Sequence, residues 1–460
     1  MKKKLVLILF TLFSYQLFSQ EGYNITVKIN HFQDSSLLLA TYYGDKIRLV
    51  DTAFSKSKEK FVFAGDKPLT GGIYMVVSTK KVKLLEFIVN KNQQFTITAD
   101  TTDYTNSVKV KNSPENTLFY DYLKYNEKQF ALVKKLGKSL DTLNKDSEEY
   151  KTVKARFDSV NKESINYKIS VINKYPGLFV SRILNGMREI EVPEDTITND
   201  SLFAYHYLKK HYWDNFDLSD PRLLHTPLYS KKVTNYFKQL VPLDPDSVIK
   251  EIDGIIAKAR PSMQNVSWLV WHFVAEYQNP KYMGFDKVFV HLVDKYFKNE
   301  DIENTTESIK KLLTERADKL RPLLIGKPAP ELILMDTSGN YVGFKSIPNE
   351  YTLLLFWDYK CGICKREINQ LKKYYKNPKY DVEIYAVNIN PDLDNWKKAV
   401  KDRNLPWINV NGTRSAKGNF NKLYDIHGTP VIYLLDKNKI IIAKQLSAKH
   451  INDFLDHYKR

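Results

Sequence analysis

Cys361 and Cys364 are the only two cysteines in the 460-residue chain, and two residues separate them. They sit in the run Trp357-Asp358-Tyr359-Lys360-Cys361-Gly362-Ile363-Cys364-Lys365. The apolar stretch 352–357 predicts a buried strand, and 365–374 predicts a helix. A thiol at the mouth of a helix meets unpaired N–H groups and the positive end of the macrodipole, and both favour the thiolate. A second thiol one turn further on is near enough to close a small disulfide ring. That spacing points to reversible dithiol chemistry. Two plainer roles fit less well. A zinc site needs four ligands, yet there is no third cysteine, and His427, the nearest downstream histidine, would supply one ligand alone. A purely structural bridge over a two-residue loop would constrain the unfolded chain little.

The elements that must hold this pair are readable on both sides of it. Residues 334–342 predict a hairpin around Ser338-Gly339, 382–388 a strand, 392–403 a helix and 407–410 a further strand. Phe420 to Pro430 leads through Gly428-Thr429-Pro430 into a strand at 431–436. A strand at 440–444 and a helix at 451–458 finish the chain. Strands alternating with helices and closing on a hairpin predict an α/β domain over 321–460.

Two other regions precede it. Residues 21–115 alternate apolar and polar at period two, as in Ile25, Val27, Ile29, then Phe61, Phe63, then Ile73, Met75, Val77. Short strands with turn signals between them predict an all-β domain. Residues 116–320 change to a helical period. Segments are expected from Asn116 to about Gly137, over 148–175, and around 201–212, 231–240, 246–259, 266–277, 285–297 and 308–320. Arg321-Pro322 ends the last of these. His206, His211, His225, His272 and His291 are scattered without ligand spacing, so no metal or other cofactor is expected.

The chain carries 70 Lys and Arg against 53 Asp and Glu, a formal net charge of +17. The lysines interleave with acids and form no compact arginine patch with aromatics, which argues against nucleic acid. Residues 1–20 open with Met1-Lys2-Lys3-Lys4 and an apolar run over 5–13, the pattern of a cleaved signal peptide and too short to span a bilayer. No later stretch reaches membrane-spanning length, so stable membrane insertion is not expected. An exported chain with one cysteine pair is expected to cycle that pair rather than use it as a staple.

Residues 325–460 resemble the TlpA/ResA-like thioredoxin family of exported thiol-disulfide oxidoreductases. The resemblance rests on the Gly326-Lys327-Pro328-Ala329-Pro330 entry, on Trp357-x-x-x-Cys361-x-x-Cys364, and on Gly428-Thr429-Pro430 before a strand. It implies a thioredoxin-like fold, a redox-active Cys361–Cys364 pair, a cis Pro430 facing the sulfurs, Trp357 packed beneath the loop, and Thr429 offering backbone groups to substrate. It also implies a periplasmic or envelope location, protein thiols and disulfides as substrates, and a membrane thiol as electron donor. The layout is similar to multidomain envelope proteins of Bacteroidetes. Two places depart from the family: Lys360 stands where tryptophan usually precedes the first cysteine, and Ile363 where proline often precedes the second. Lys360 is a candidate to stabilise the Cys361 thiolate by charge. The buried aspartate of thioredoxin itself is replaced by Leu355.

The leading expectation is therefore an exported oxidoreductase, acting as a reductase through Cys361 and Cys364. A thiol peroxidase is a second reading, but its Pro-x-x-x-Thr-x-x-Cys pattern meets Leu354 and Asp358 here. A third is an envelope binding protein in which the redox domain is accessory.

Overall fold

The computed structural model describes residues 22–55, 59–193 and 202–459. The expected signal peptide lies outside the described residues. Two compact units are present, one ending at Leu240 and one beginning at Val241. The division falls inside the stretch that reads as one helical region.

In the first unit, alternation builds two four-stranded sheets. The strands are β1 (Tyr23–Asn30), β2 (Ser36–Tyr43), β3 (Lys46–Phe54), β4 (Lys60–Gly65), β5 (Gly72–Ser78), β6 (Lys83–Val89), β7 (Gln94–Asp100) and β8 (Lys109–Lys111). Their orders are β4-β1-β7-β8 and β3-β2-β5-β6. Ile25, Val27, Ile29, Phe61, Phe63 and Ile97 are fully buried, as period-two patterning requires. β5 departs from it, because residues 72–76 are buried on both faces. The chain at 221–226 packs against the start of β5: Ile73 N–H donates to the His225 carbonyl at 2.8 Å, and Gly44 N–H to that of Leu224 at 2.9 Å. A Cβ on Gly72 would meet the His225 Cβ at 2.3 Å, so glycine permits this close approach. Helices follow at Pro114–Thr142 and Glu148–Lys174, near the expected bounds, together with Phe179–Gly186.

The second unit opens with the helices Pro245–Ala259, Met263–Tyr277, Asp286–Leu292 and Glu307–Leu320. Seven strands follow: β9 (Ile333–Asp336), β10 (Tyr341–Gly343), β11 (Tyr351–Trp357), β12 (Val382–Asn388), β13 (Ile408–Lys417), β14 (Val431–Leu435) and β15 (Ile441–Lys444). They form one sheet in the order β10-β9-β13-β12-β11-β14-β15. β11 pairs parallel with β12 and antiparallel with β14, and so lies at the centre. Every residue of β11 is buried, because both faces of the sheet are covered. Leu353, Leu355 and Trp357 face one core with Cys364, Ile368 and Leu371 of the helix Gly362–Lys376. Leu354 and Phe356 face another with Tyr385, Phe420, Tyr424 and Tyr433. The whole is a multidomain chain: β-sheets first, helices in the middle and a thioredoxin-like α/β domain last. Among the described residues no helix is long and apolar enough to cross a membrane.

Candidate active site

β11 ends at Trp357 and the helix begins at Gly362, so four residues make the turn that carries the first thiol. The Asp358 carbonyl accepts from Cys361 N–H at 3.1 Å, and its carboxylate accepts from Lys360 N–H at 2.8 Å. Cys361 is the N-cap of the helix, with its Sγ accepting from Cys364 N–H at 3.2 Å. This is the capping position at which an orphan N–H meets a side-chain acceptor, here a sulfur. Cys364 lies one turn on and is fully buried, while Cys361 is partly exposed.

The two sulfurs have opposite electrostatics. Burial pushes the Cys361 thiol up, but hydrogen bonds with Cys364, Thr429 and the Ile363 N–H outweigh it, so the net direction is down. Burial pushes the Cys364 thiol up to about 11, and the neighbouring Cys361 sulfur adds to the effect. One thiol is partly exposed and more acidic than usual, while the other is buried and protonated at neutral pH.

The opposite wall is the segment before β14. The Thr429–Pro430 peptide is cis, and the Thr429 carbonyl lies 3.4 Å from the Cys361 Sγ, which donates to it. Trp357 is fully buried beneath the turn and shares its core with Cys364. Leu355 occupies the same core, so no carboxylate stands there. Trp357, Cys361, Cys364, Thr429 and Pro430 are thus brought together. Lys360 is exposed, and its Nζ lies 5.5 Å from the centroid of the Tyr359 ring.

Several residues that clamp this turn carry no local sequence signal. The Arg403 Nη2 donates to the Tyr359 carbonyl at 2.8 Å, and its guanidinium lies 5.6 Å over the Trp357 ring. Tyr359 OH donates to Asp392 at 3.0 Å, and Asn390 Nδ2 reaches the Asp358 carboxylate at 3.3 Å. Glu367 caps another loop, accepting from Ser447 Oγ at 3.1 Å and from Ala448 N–H. These residues lie 32–81 positions from their partners, so only the folded sheet brings them together. Arg403→Ala should destabilise the reduced protein by about 2 kcal/mol, since it loses one charged hydrogen bond and a cation over an indole. Chemical denaturation reads the effect, and Arg403→Lys should recover little of it, because an ammonium lacks the planar fork.

A dithiol at a helix mouth, facing a proline segment across the centre of a covered sheet, defines a thioredoxin-like domain of the thiol-disulfide oxidoreductase class. Residues 325–444 match the model of the AhpC/TSA family. These residues form an AhpC/TSA-type, thioredoxin-like domain in the last third of the chain. Residues 23–119 and 143–319 match two domains of unknown function, DUF4369 and DUF5106. The thiol-disulfide oxidoreductase ResA of Bacillus cereus is 29% identical over 133 residues, which are 28% of this chain and 72% of that protein. ResA of Bacillus subtilis is 26% identical over 141 residues, covering 29% and 75%. A crystal structure described as a domain of a possible thiol-disulfide isomerase from Cytophaga hutchinsonii is 38% identical. It covers 30% of this chain and 95% of its own, with a TM-score of 0.28.

Proposed function

We propose that the chain is an exported thiol-disulfide oxidoreductase that reduces disulfides of envelope proteins, with Cys361 as nucleophile and Cys364 as resolving thiol. The asymmetry of the two sulfurs carries this reading: a partner protein meets Cys361 first, and Cys361 is the sulfur biased toward thiolate. The Cys361 thiolate attacks a substrate disulfide, forming one new S–S bond and expelling one substrate thiolate. Cys364 passes its proton to a leaving thiolate and attacks the Cys361 Sγ. The second substrate sulfur departs, and the internal disulfide keeps the two-electron oxidation. A dithiol donor restores the pair, and a membrane thiol fits that role. Trp357 holds the turn from below, Thr429 and Pro430 border an extended substrate strand, and Lys360 adds positive charge at the rim. The basic and apolar opening residues support export to the periplasm.

Alkylation of the reduced protein across pH tests the assignment. The Cys361 rate should level off below the ordinary thiol range near about pH 8.5, while Cys364 stays unreactive until about pH 11. Disulfide reduction should fall as pH drops through the Cys361 transition, because protonation removes the nucleophile. Cys364 reacting first, or a pair that does not take up and release two electrons reversibly, refutes the proposal.

A further inference from the structure

Beside the proline segment lies a cleft of about 280 Å³ whose two walls come from different parts of the second unit. One wall is the thioredoxin-like domain, through Asp425, His427, Gly428, Val431 and Tyr433. The other is the preceding helical stretch, through Tyr282, Met283 and Leu320. The two are fastened by Lys444, whose Nζ is ion-paired with Asp286 and donates to the Leu323 carbonyl at 3.0 Å. Lys444 N–H also donates to the Met283 Sδ at 3.2 Å.

The cleft adjoins the chemistry through the chain itself. Gly428 lines it, and the next residue, Thr429, has its carbonyl 3.4 Å from the Cys361 Sγ. Tyr282 and Met283, 53% and 38% exposed, form the outer lip. Ile363, between the two cysteines, is 57% exposed. The volume falls at the bottom of the roughly 300–1,000 Å³ range of small-molecule pockets, which suits a side chain better than a cofactor. Its charged groups have named partners of different kinds, and those of Arg316 are neutral. Asp286 pairs with Lys444, Asp425 lies 2.8 Å from His427 Nε2, and Arg316 donates to Asn279 at 2.9 Å while lying over the Phe289 ring. Tyr282, Met283, Leu320, Val431 and Tyr433 offer a guest apolar surface, which favours an apolar or aromatic side chain.

We infer that this cleft is a specificity subsite: it takes a large uncharged side chain, aromatic by preference, from a substrate polypeptide near its reacting cysteine. The inference rests on the proposed oxidoreductase activity and adds the class of polypeptide that the site selects. It also gives the helical stretch a part in substrate choice. Tyr282 acts as a specificity residue of that subsite.

The test uses the full chain and a set of peptides, each with one cysteine held in a mixed disulfide with a small chromogenic thiol. The flanking residues are Phe, Gly, Lys or Glu. The wild-type chain should favour the Phe peptide over the other three by about tenfold in kcat/KM, the effect of partly burying one aromatic side chain. Tyr282→Ala should bring that ratio to about two or below, and Tyr282→Phe should keep it. The free chromogenic disulfide supplies the reference rate. A loss on the reference equal to the loss on the Phe peptide overturns the cleft assignment, as does a wild-type chain that reduces all four peptides alike. A wild-type chain that reduces none of them, nor the reference, overturns the oxidoreductase reading instead.

Discussion

Cys361→Ser should lower disulfide reduction by about a thousandfold or more, because the attacking sulfur is gone and the buried Cys364 cannot take its place. Cys364→Ser should behave differently. Its Cys361 still attacks, but nothing then resolves the product, so a covalent adduct accumulates on Cys361. Intact-mass measurement reads that adduct, and added small thiol should release it. In the native cell the same variant would identify the physiological partner. If Cys361→Ser keeps its activity while Cys364→Ser loses all of it, the two roles are reversed.

Asp286→Ala should be among the most destabilising single changes outside the hydrophobic cores. Asp286 and Lys444 side chains are 7% and 9% exposed. Removing the carboxylate leaves an ammonium buried with only the Leu323 carbonyl as a named partner. Breaking a buried pair in this way costs about 3–5 kcal/mol, roughly 10 °C in the midpoint of thermal unfolding for a unit of this size. Replacing both partners, Asp286→Leu with Lys444→Met, should recover most of the loss, since well-packed apolar residues often replace a buried ion pair without penalty. Calorimetry of the full chain checks both. A midpoint within about 2 °C of wild type for Asp286→Ala would mean that the pair does not hold the helical wall to β15.

The local parts of the site were legible in the sequence. The strand before the cysteines, the helix after them, the Ser338-Gly339 hairpin and the β12 strand all follow from short-range period and turn chemistry, and β9 pairs with β10 in the expected antiparallel sense. The cis Thr429–Pro430 bond agrees with what the family resemblance implied. What escaped is what depends on distant residues meeting. β5 is buried on both faces, and residues 221–226, more than a hundred positions away, close over its start. Arg403 carries no motif, yet it reaches the Tyr359 carbonyl. Asp286 and Lys444 look like ordinary surface charges in a chain rich in both, and only the fold buries them. A fragment beginning at residue 321 would therefore bare Lys444 and lose one wall of the cleft, so the redox domain is best tested within the whole chain.

With Cys364 sealed beneath it, Cys361 is the one sulfur of the pair open to visitors. Under the proposed assignment, a protein that delivers electrons and a protein that takes them must queue for the same doorway. They cannot occupy it together, so turnover has to proceed by double displacement, each visitor leaving before the other arrives. The chain then acts as a shuttle between two partners that never touch, and whichever of them lingers longest at the doorway sets the pace.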